Sequence, residues 1–172
     1  MNKIFLIIVF VTLAGGFASA QKFGFVDTDY ILKNMPSYSA AQEQLNQTSK
    51  KYQEEVESKF SEIQAAYKAY QNESVFLSPE LKVKRENEIV EKEKIAKALQ
   101  QKYFGAEGDL FKKRQTLIKP IQDQIYNAVK ELAKDETLSA LFDKSSGSMG
   151  IIFADPKLDR SDAILSKLGI KK

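Results

Sequence analysis

Three groups of residues have types and spacings that could do chemistry: Asp27-x-Asp29, the basic run Lys112-Lys113-Arg114 with Lys119, and the glycines Gly105 and Gly108. Asp27-x-Asp29 has the spacing of a metal-binding carboxylate pair, but no third ligand is near it in sequence. An aspartate just ahead of Tyr30-Ile31-Leu32 also caps a helical turn. The basic run is either a solvated helix face or a contact for an anionic partner. The two glycines are as close as those of a phosphate loop, yet the helical pattern continues on both sides with Tyr103 and Leu110, so they read as a hinge or bend. The chain has no histidine and no cysteine, which removes the commonest general acid–base, the thiol nucleophile and most transition-metal ligands. Serine–lysine and paired-carboxylate chemistry remain in principle, without an enclosed pocket in view. The reading is a non-enzyme with no catalytic, cofactor or metal residues.

The elements that would position these groups are dominated by one stretch, residues 38–118. From Tyr38 to Phe104 it holds no glycine and only Pro79. Apolar residues recur three and four apart along a first limb (Leu45, Tyr52, Val56, Phe60, Ile63, Tyr67, Tyr70) and again along a second (Leu81, Ile89, Ile95, Leu99, Tyr103, Leu110, Leu117). The two series mirror each other. Leu45 with Leu110, Tyr52 with Tyr103, Val56 with Leu99 and Phe60 with Ile95 all add to the same total, as antiparallel helices require. These pairs are the expected core of a two-stranded coiled coil about 55–60 Å long, at ~1.5 Å per residue. The fold-back falls at Val75-Phe76-Leu77, where Ser78 suits an N-cap and Pro79 a first helical position. Ser37 is the expected cap of the first limb. Ile63 opposite Lys92 and Tyr70 opposite Arg85 predict partial burial in the outer half, and a drift toward eleven-residue steps (Leu45, Val56, Tyr67) predicts weak or right-handed supercoiling.

Outside the hairpin the elements are short. Residues 21–27 read as a strand and Pro120 as the return from the arm, followed by an amphipathic helix through Ile121, Ile125, Ala128, Val129 and Leu132. Residues 138–144 and 149–154 read as two more strands, and Asp159 or Ser161 caps a last helix that Gly169 ends. Three such strands cannot cover Phe23, Phe25, Val26, Leu141, Phe142, Ile151, Ile152 and Phe153, so this region is expected to self-associate. The domain boundaries are then 1–20 for a signal peptide, 21–37 with 119–172 for a β-rich oligomerisation body, and 38–118 for the coiled-coil arm. The fold class is α+β, mainly α: a long antiparallel helical hairpin on a small β body.

Residues 1–20 carry Lys3, an apolar run from Ile4 and the small-x-small end Ala18-Ser19-Ala20, the pattern of a cleavable signal peptide cut after Ala20. The protein is expected to be exported, and its stability to come from packing and assembly, since it has no cysteine for disulfides. The 26 basic residues less Lys3, against 23 acidic, leave a mature charge of +2. Between Tyr38 and Ile118 there are 14 basic and 13 acidic side chains. A near-neutral arm excludes nucleic acid, which needs a concentrated basic face.

The order of these pieces resembles the Skp/OmpH family of periplasmic chaperones. The resemblance is carried by Phe25-Val26-Asp27 with Tyr30-Ile31-Leu32 and Pro36, Lys119-Pro120-Ile121-Gln122-Asp123, Leu141-Phe142-Asp143-Lys144-Ser145, and Phe153-Ala154-Asp155-Pro156 with Asp162-Ala163-Ile164-Leu165. It implies a homotrimer whose body strands close into a small barrel. Three coiled-coil tentacles would then enclose a cavity that holds unfolded outer-membrane proteins in the periplasm without ATP. Family members have strongly basic tentacles. This arm lacks the charge excess on which electrostatic capture of acidic clients or lipopolysaccharide would depend, while a transient contact with the membrane surface stays open. The client-facing residues expected are Tyr67, Tyr70, Val75, Phe76 and Leu77 near the tip, with Phe104 and Phe111 off the main register. The alternative is a structural coiled-coil protein of the envelope, a spacer or adaptor for one folded partner.

Overall fold

The computed structural model describes residues 22–147 and 151–171. The expected signal peptide therefore lies outside the described residues, as do Gln21 and the turn residues 148–150. The described residues form two compact units, one of those up to Asn34 together with those from Ile125 onward, the other Met35–Gln124. Among the described residues no helix is long and apolar enough to cross a membrane.

In the first unit, strand β1 (Phe23–Val26) pairs in parallel with β2 (Ala140–Asp143), with Phe25 opposite Phe142. Gly24 is buried because the strand passes close to its neighbours: a Cβ there would meet the Leu158 carbonyl oxygen at 3.2 Å. Helix α1 (Thr28–Lys33) starts at Asp27, whose carboxylate accepts from the Tyr30 N–H at 2.9 Å. Ile31 of α1 and Ile164 of the last helix, here α5 (Ser161–Lys167), are fully enclosed, and Val26 and Leu165 are nearly so. At the start of α5 the N-cap position belongs to Arg160, which makes no side-chain cap, while Asp159 accepts from the Ser161 N–H at 2.8 Å. Gly169 follows α5 at φ +75, a conformation that favours glycine.

The strand expected over 149–154 is not formed by residues 151–154, which have no regular secondary structure. High β-propensity in Ile151-Ile152-Phe153 makes a strand only when an edge is there to pair with. Pro120 does not break the chain either. It lies inside one helix, α4 (Asp109–Asp135). Interior proline costs ~3 kcal/mol, and burial of Ile121, Ile125, Ala128 and Leu132 along one face of the same helix offsets it.

The second unit is the helical hairpin. Helix α2 (Pro36–Glu73) is followed by a 3-10 turn at Ser74–Phe76 and by α3 (Pro79–Phe104). The first limb is capped not at Ser37 but at Met35, with Pro36 in the first turn. Ser78 caps α3 as expected, its hydroxyl accepting from the Leu81 N–H at 3.4 Å. The glycine pair is a true interruption: α3 stops at Phe104 and α4 begins at Asp109. A Cβ on Gly105 would run into the Gln101 carbonyl oxygen, and one on Gly108 would lie 2.8 Å from those of Lys102 and Tyr103.

The antiparallel register is visible where Tyr52 and Tyr103 stack, with centroids 3.9 Å apart and planes within 3°. The stripe that is covered differs from the expected one. On α2 it follows two seven-residue series, Leu45-Tyr52-Lys59-Ala66 and Ser49-Val56-Ile63-Tyr70; on the other limb it follows Ile89-Ala96-Tyr103-Leu110-Leu117. Phe60 and Ile95, expected as a core pair, are both exposed, because Lys59 and Ala96 occupy the seam beside them. A lysine stem can line a seam while its amine reaches out, here to Glu62 at 2.6 Å. The repeat is seven, the period of left-handed supercoiling, and not eleven. Ile63 is buried against Ile89 and Ala96, with Ala66 and Tyr70 packed on them, while Lys92 turns away to Glu62 at 3.8 Å.

Candidate functional site

The hydroxyl, carboxylate and amine groups of the first unit converge around Asp143. Its carboxylate accepts from the Thr28 N–H and hydroxyl (3.2 and 2.6 Å) and from the Ser145 N–H and hydroxyl (3.0 and 2.8 Å). Burial opposes its ionisation, but these bonds win and hold its carboxyl below the usual range. Beside it, Lys144 pairs with Asp159 at 2.6 Å and lies 4.0 Å from Asp27. The bond to Asp159 pushes the lysine's pKa up, so it stays protonated near neutrality and is a poor general base. Ser161, almost fully buried, accepts from the Asp27 N–H at 2.8 Å. Every group here is tied to a neighbour, and what the cluster does is fix strand ends to helix starts. Among the described residues no group of three His, Cys, Asp or Glu could hold a metal, and Asp27 of the Asp27-x-Asp29 pair is spent on the cap.

The apolar residues of this unit divide in two. Phe23, Phe25 and Phe142 form a ring cluster with centroids 5.9–6.4 Å apart, Val26 is buried, and Leu141 is half-buried. Ile151 is half-buried, whereas Ile152 is fully exposed and Phe153 81% exposed. Among the described residues β1 has β2 on one side and, besides it, an isolated bridge from Phe25 to Asp159.

In the hairpin the sequence candidates also fall into two kinds. Tyr67 and Tyr70 span the limbs: the Tyr67 hydroxyl donates to Glu93 at 2.9 Å, and that of Tyr70 to Glu86. Each tyrosine's pKa is raised by that bond. Tyr103 does the same to Glu55, and its pKa is pushed up to about 12. At the tip, Val75 is 81% and Phe76 87% exposed, with Leu77 half-buried beneath them. Sequence reasoning missed Val83 and Val90, which are exposed on α3. Each stands one residue after a seam position, Lys82 or Ile89, at the same seven-residue spacing, and only the structure shows which neighbour faces the seam.

The family model for "Outer membrane protein (OmpH-like)" matches residues 22–168. The chain belongs to the OmpH-like family. An uncharacterized protein of Aquifex aeolicus (strain VF5) is 27% identical over 168 residues, covering 98% of this OmpH-like chain and 96% of its own length. A crystal structure from Caulobacter crescentus CB15, of a protein described as an OmpH-like outer membrane chaperone, matches with a TM-score of 0.70. It covers 88% of this chain and 86% of the other at 11% identity, a likeness of fold.

Proposed function

We propose that this OmpH-like protein is an ATP-independent periplasmic holdase, a homotrimer that keeps unfolded outer-membrane proteins from aggregating. One observation carries the reading. The hairpin seam is narrow, and large apolar side chains stand in solvent at its tip (Val75, Phe76) and along both limbs (Phe60, Val83, Val90, Phe104), outside any enclosed pocket. A surface of that kind suits many weak contacts with unfolded chains rather than one shaped ligand. Contacts that are weak singly add through effective concentration when several hairpins surround one client. Binding lowers the free unfolded population and so suppresses aggregation by mass action, and release needs only a stronger sink such as membrane insertion. The two-stranded sheet and the exposed Ile152 and Phe153 support self-association, since so small a sheet cannot stand alone.

The test is light scattering of an outer-membrane barrel diluted from urea, with and without the mature protein. A holdase suppresses the scattering. A spacer for one folded partner leaves it unchanged, and that result would end the reading. Replacing Phe76 and Leu77 by serine should weaken client retention with the oligomer intact on size-exclusion chromatography; full suppression by that variant removes the tip from the mechanism.

A further inference from the structure

The exposed apolar side chains of the hairpin are not spread evenly round it. On α3, Val83, Val90 and Phe104 each follow a seam position (Lys82, Ile89, Tyr103) by one residue, with Phe111 seven further on across the glycine break. On α2, Phe60 and Tyr67 likewise follow Lys59 and Ala66. With the limbs antiparallel, these two series meet on one flank. Phe60 and Phe104 line a common groove with Gln53, Val56, Glu57 and Gln100, and Tyr67 reaches Glu93, one turn from Val90. The other flank is held by charge: Lys59–Glu62 at 2.6 Å, Lys92–Glu62 at 3.8 Å and Arg85–Glu88 at 3.3 Å.

We infer that the flank of Phe60, Tyr67, Val83, Val90 and Phe104 is the face that takes clients, and that its occupant is an extended segment of an unfolded outer-membrane protein. This rests on the holdase reading. A client laid on this flank displaces no ion pair. The amides of Gln53 and Gln100 both donate and accept, so they serve an extended backbone whatever its sequence. Apolar side chains seven residues apart on a helix recur every ~10.5 Å, whereas those on one face of an extended strand recur every ~6.7 Å. The client therefore finds hydrophobic contact without a fixed register, which keeps it bound loosely and unfolded. A second copy of this chain fits the flank poorly. Lys97, exposed, interrupts the ridge midway between Val90 and Phe104. Symmetric pairing through that ridge sets Lys97 against its own copy, whether the limbs run parallel or with Val90 opposite Phe104.

The experiment uses the mature protein and a urea-diluted outer-membrane barrel with a fluorescent label. It compares Val83→Ser/Val90→Ser and the same pair with Phe104→Ser against a control on the charged flank, Leu81→Ser/Ile95→Ser, whose side chains are equally exposed. The expected result is a Kd raised about tenfold or more by the flank variants, ~1.4 kcal/mol or more, and changed less than about twofold by the control. Wild-type binding at the flank variants, or an equal loss in the control, overturns the assignment. A change in the client-free size of the flank variants in sedimentation overturns it in favour of a second copy. Failure of the wild type itself to bind the barrel is a separate result, and it removes the holdase reading together with this one.

Discussion

The two units of this chain hold themselves together by different means. In the first, Ile31 and Ile164 are sealed from solvent and charges are locked in short pairs: Lys144–Asp159 and Arg160–Glu136 at 2.6 Å, Lys167–Asp135 at 2.7 Å. In the hairpin most ion pairs span 3.3–4.0 Å between exposed side chains, and cover comes from a seam of alternating large and small residues with tyrosines bonded across it. The first arrangement concentrates stability in a few sites. The second spreads it in small parts over a long surface and leaves apolar groups uncovered.

That contrast should show in single substitutions, beginning with the largest effect. Ile164→Ala, in the sealed core, is expected to cost ~2–5 kcal/mol in urea denaturation. Ile63→Ala in the seam should fall at the low end of that range and should lower amide protection only within Met35–Gln124. An equal effect at both sites would erase the distinction. Asp143→Ala strands the Thr28 and Ser145 donors and should cost ~1–3 kcal/mol. The wild-type carboxyls of Asp143 and Asp159 are held below their usual values. Their contribution is therefore present above the unfolded pKa of ~3.9 and is lost as pH falls below it; Asp143→Ala should flatten that acid loss.

Smaller effects belong to the hairpin. The folded Tyr103 has its pKa raised to about 12 by the bond to Glu55. Its stabilisation is complete below the unfolded tyrosine value of ~10 and disappears as pH rises from there toward 12. Tyr103→Phe keeps the stack on Tyr52, should lower stability slightly at neutral pH, and should remove that alkaline step in a circular-dichroism titration. Smallest of all is Lys119→Ala, whose pair with Asp123 at 3.5 Å is exposed on both sides; a change of ~0–1 kcal/mol is expected.

Much of the hairpin was legible because its evidence is relational. Tyr52 and Tyr103 could be matched by counting inward from both limbs, and Ser78-Pro79 announced the second helix by capping chemistry. The covered stripe was harder to read, since large apolar type points to Phe60 and Ile95 while packing chose Lys59 and Ala96 next to them. A lysine stem and a methyl group fill a close helix–helix contact that two bulky side chains would hold open. Pro120 misled because local propensity was outweighed by the buried face of α4. In the candidate surface, Phe76 and Val75 were legible as turn residues, but Val83 and Val90 were not, because their meaning depends on which neighbour faces the seam.

The glycine break gives the hairpin one whole rail and one cut rail. α2 runs without interruption through the level of Tyr52, while the chain opposite stops at Phe104 and resumes at Asp109. A doubled beam notched on a single side flexes at the notch and toward a preferred direction. Next to the cut stand the stacked Tyr52 and Tyr103, so at this level α2 alone carries the backbone across and the ring contact ties the two rails.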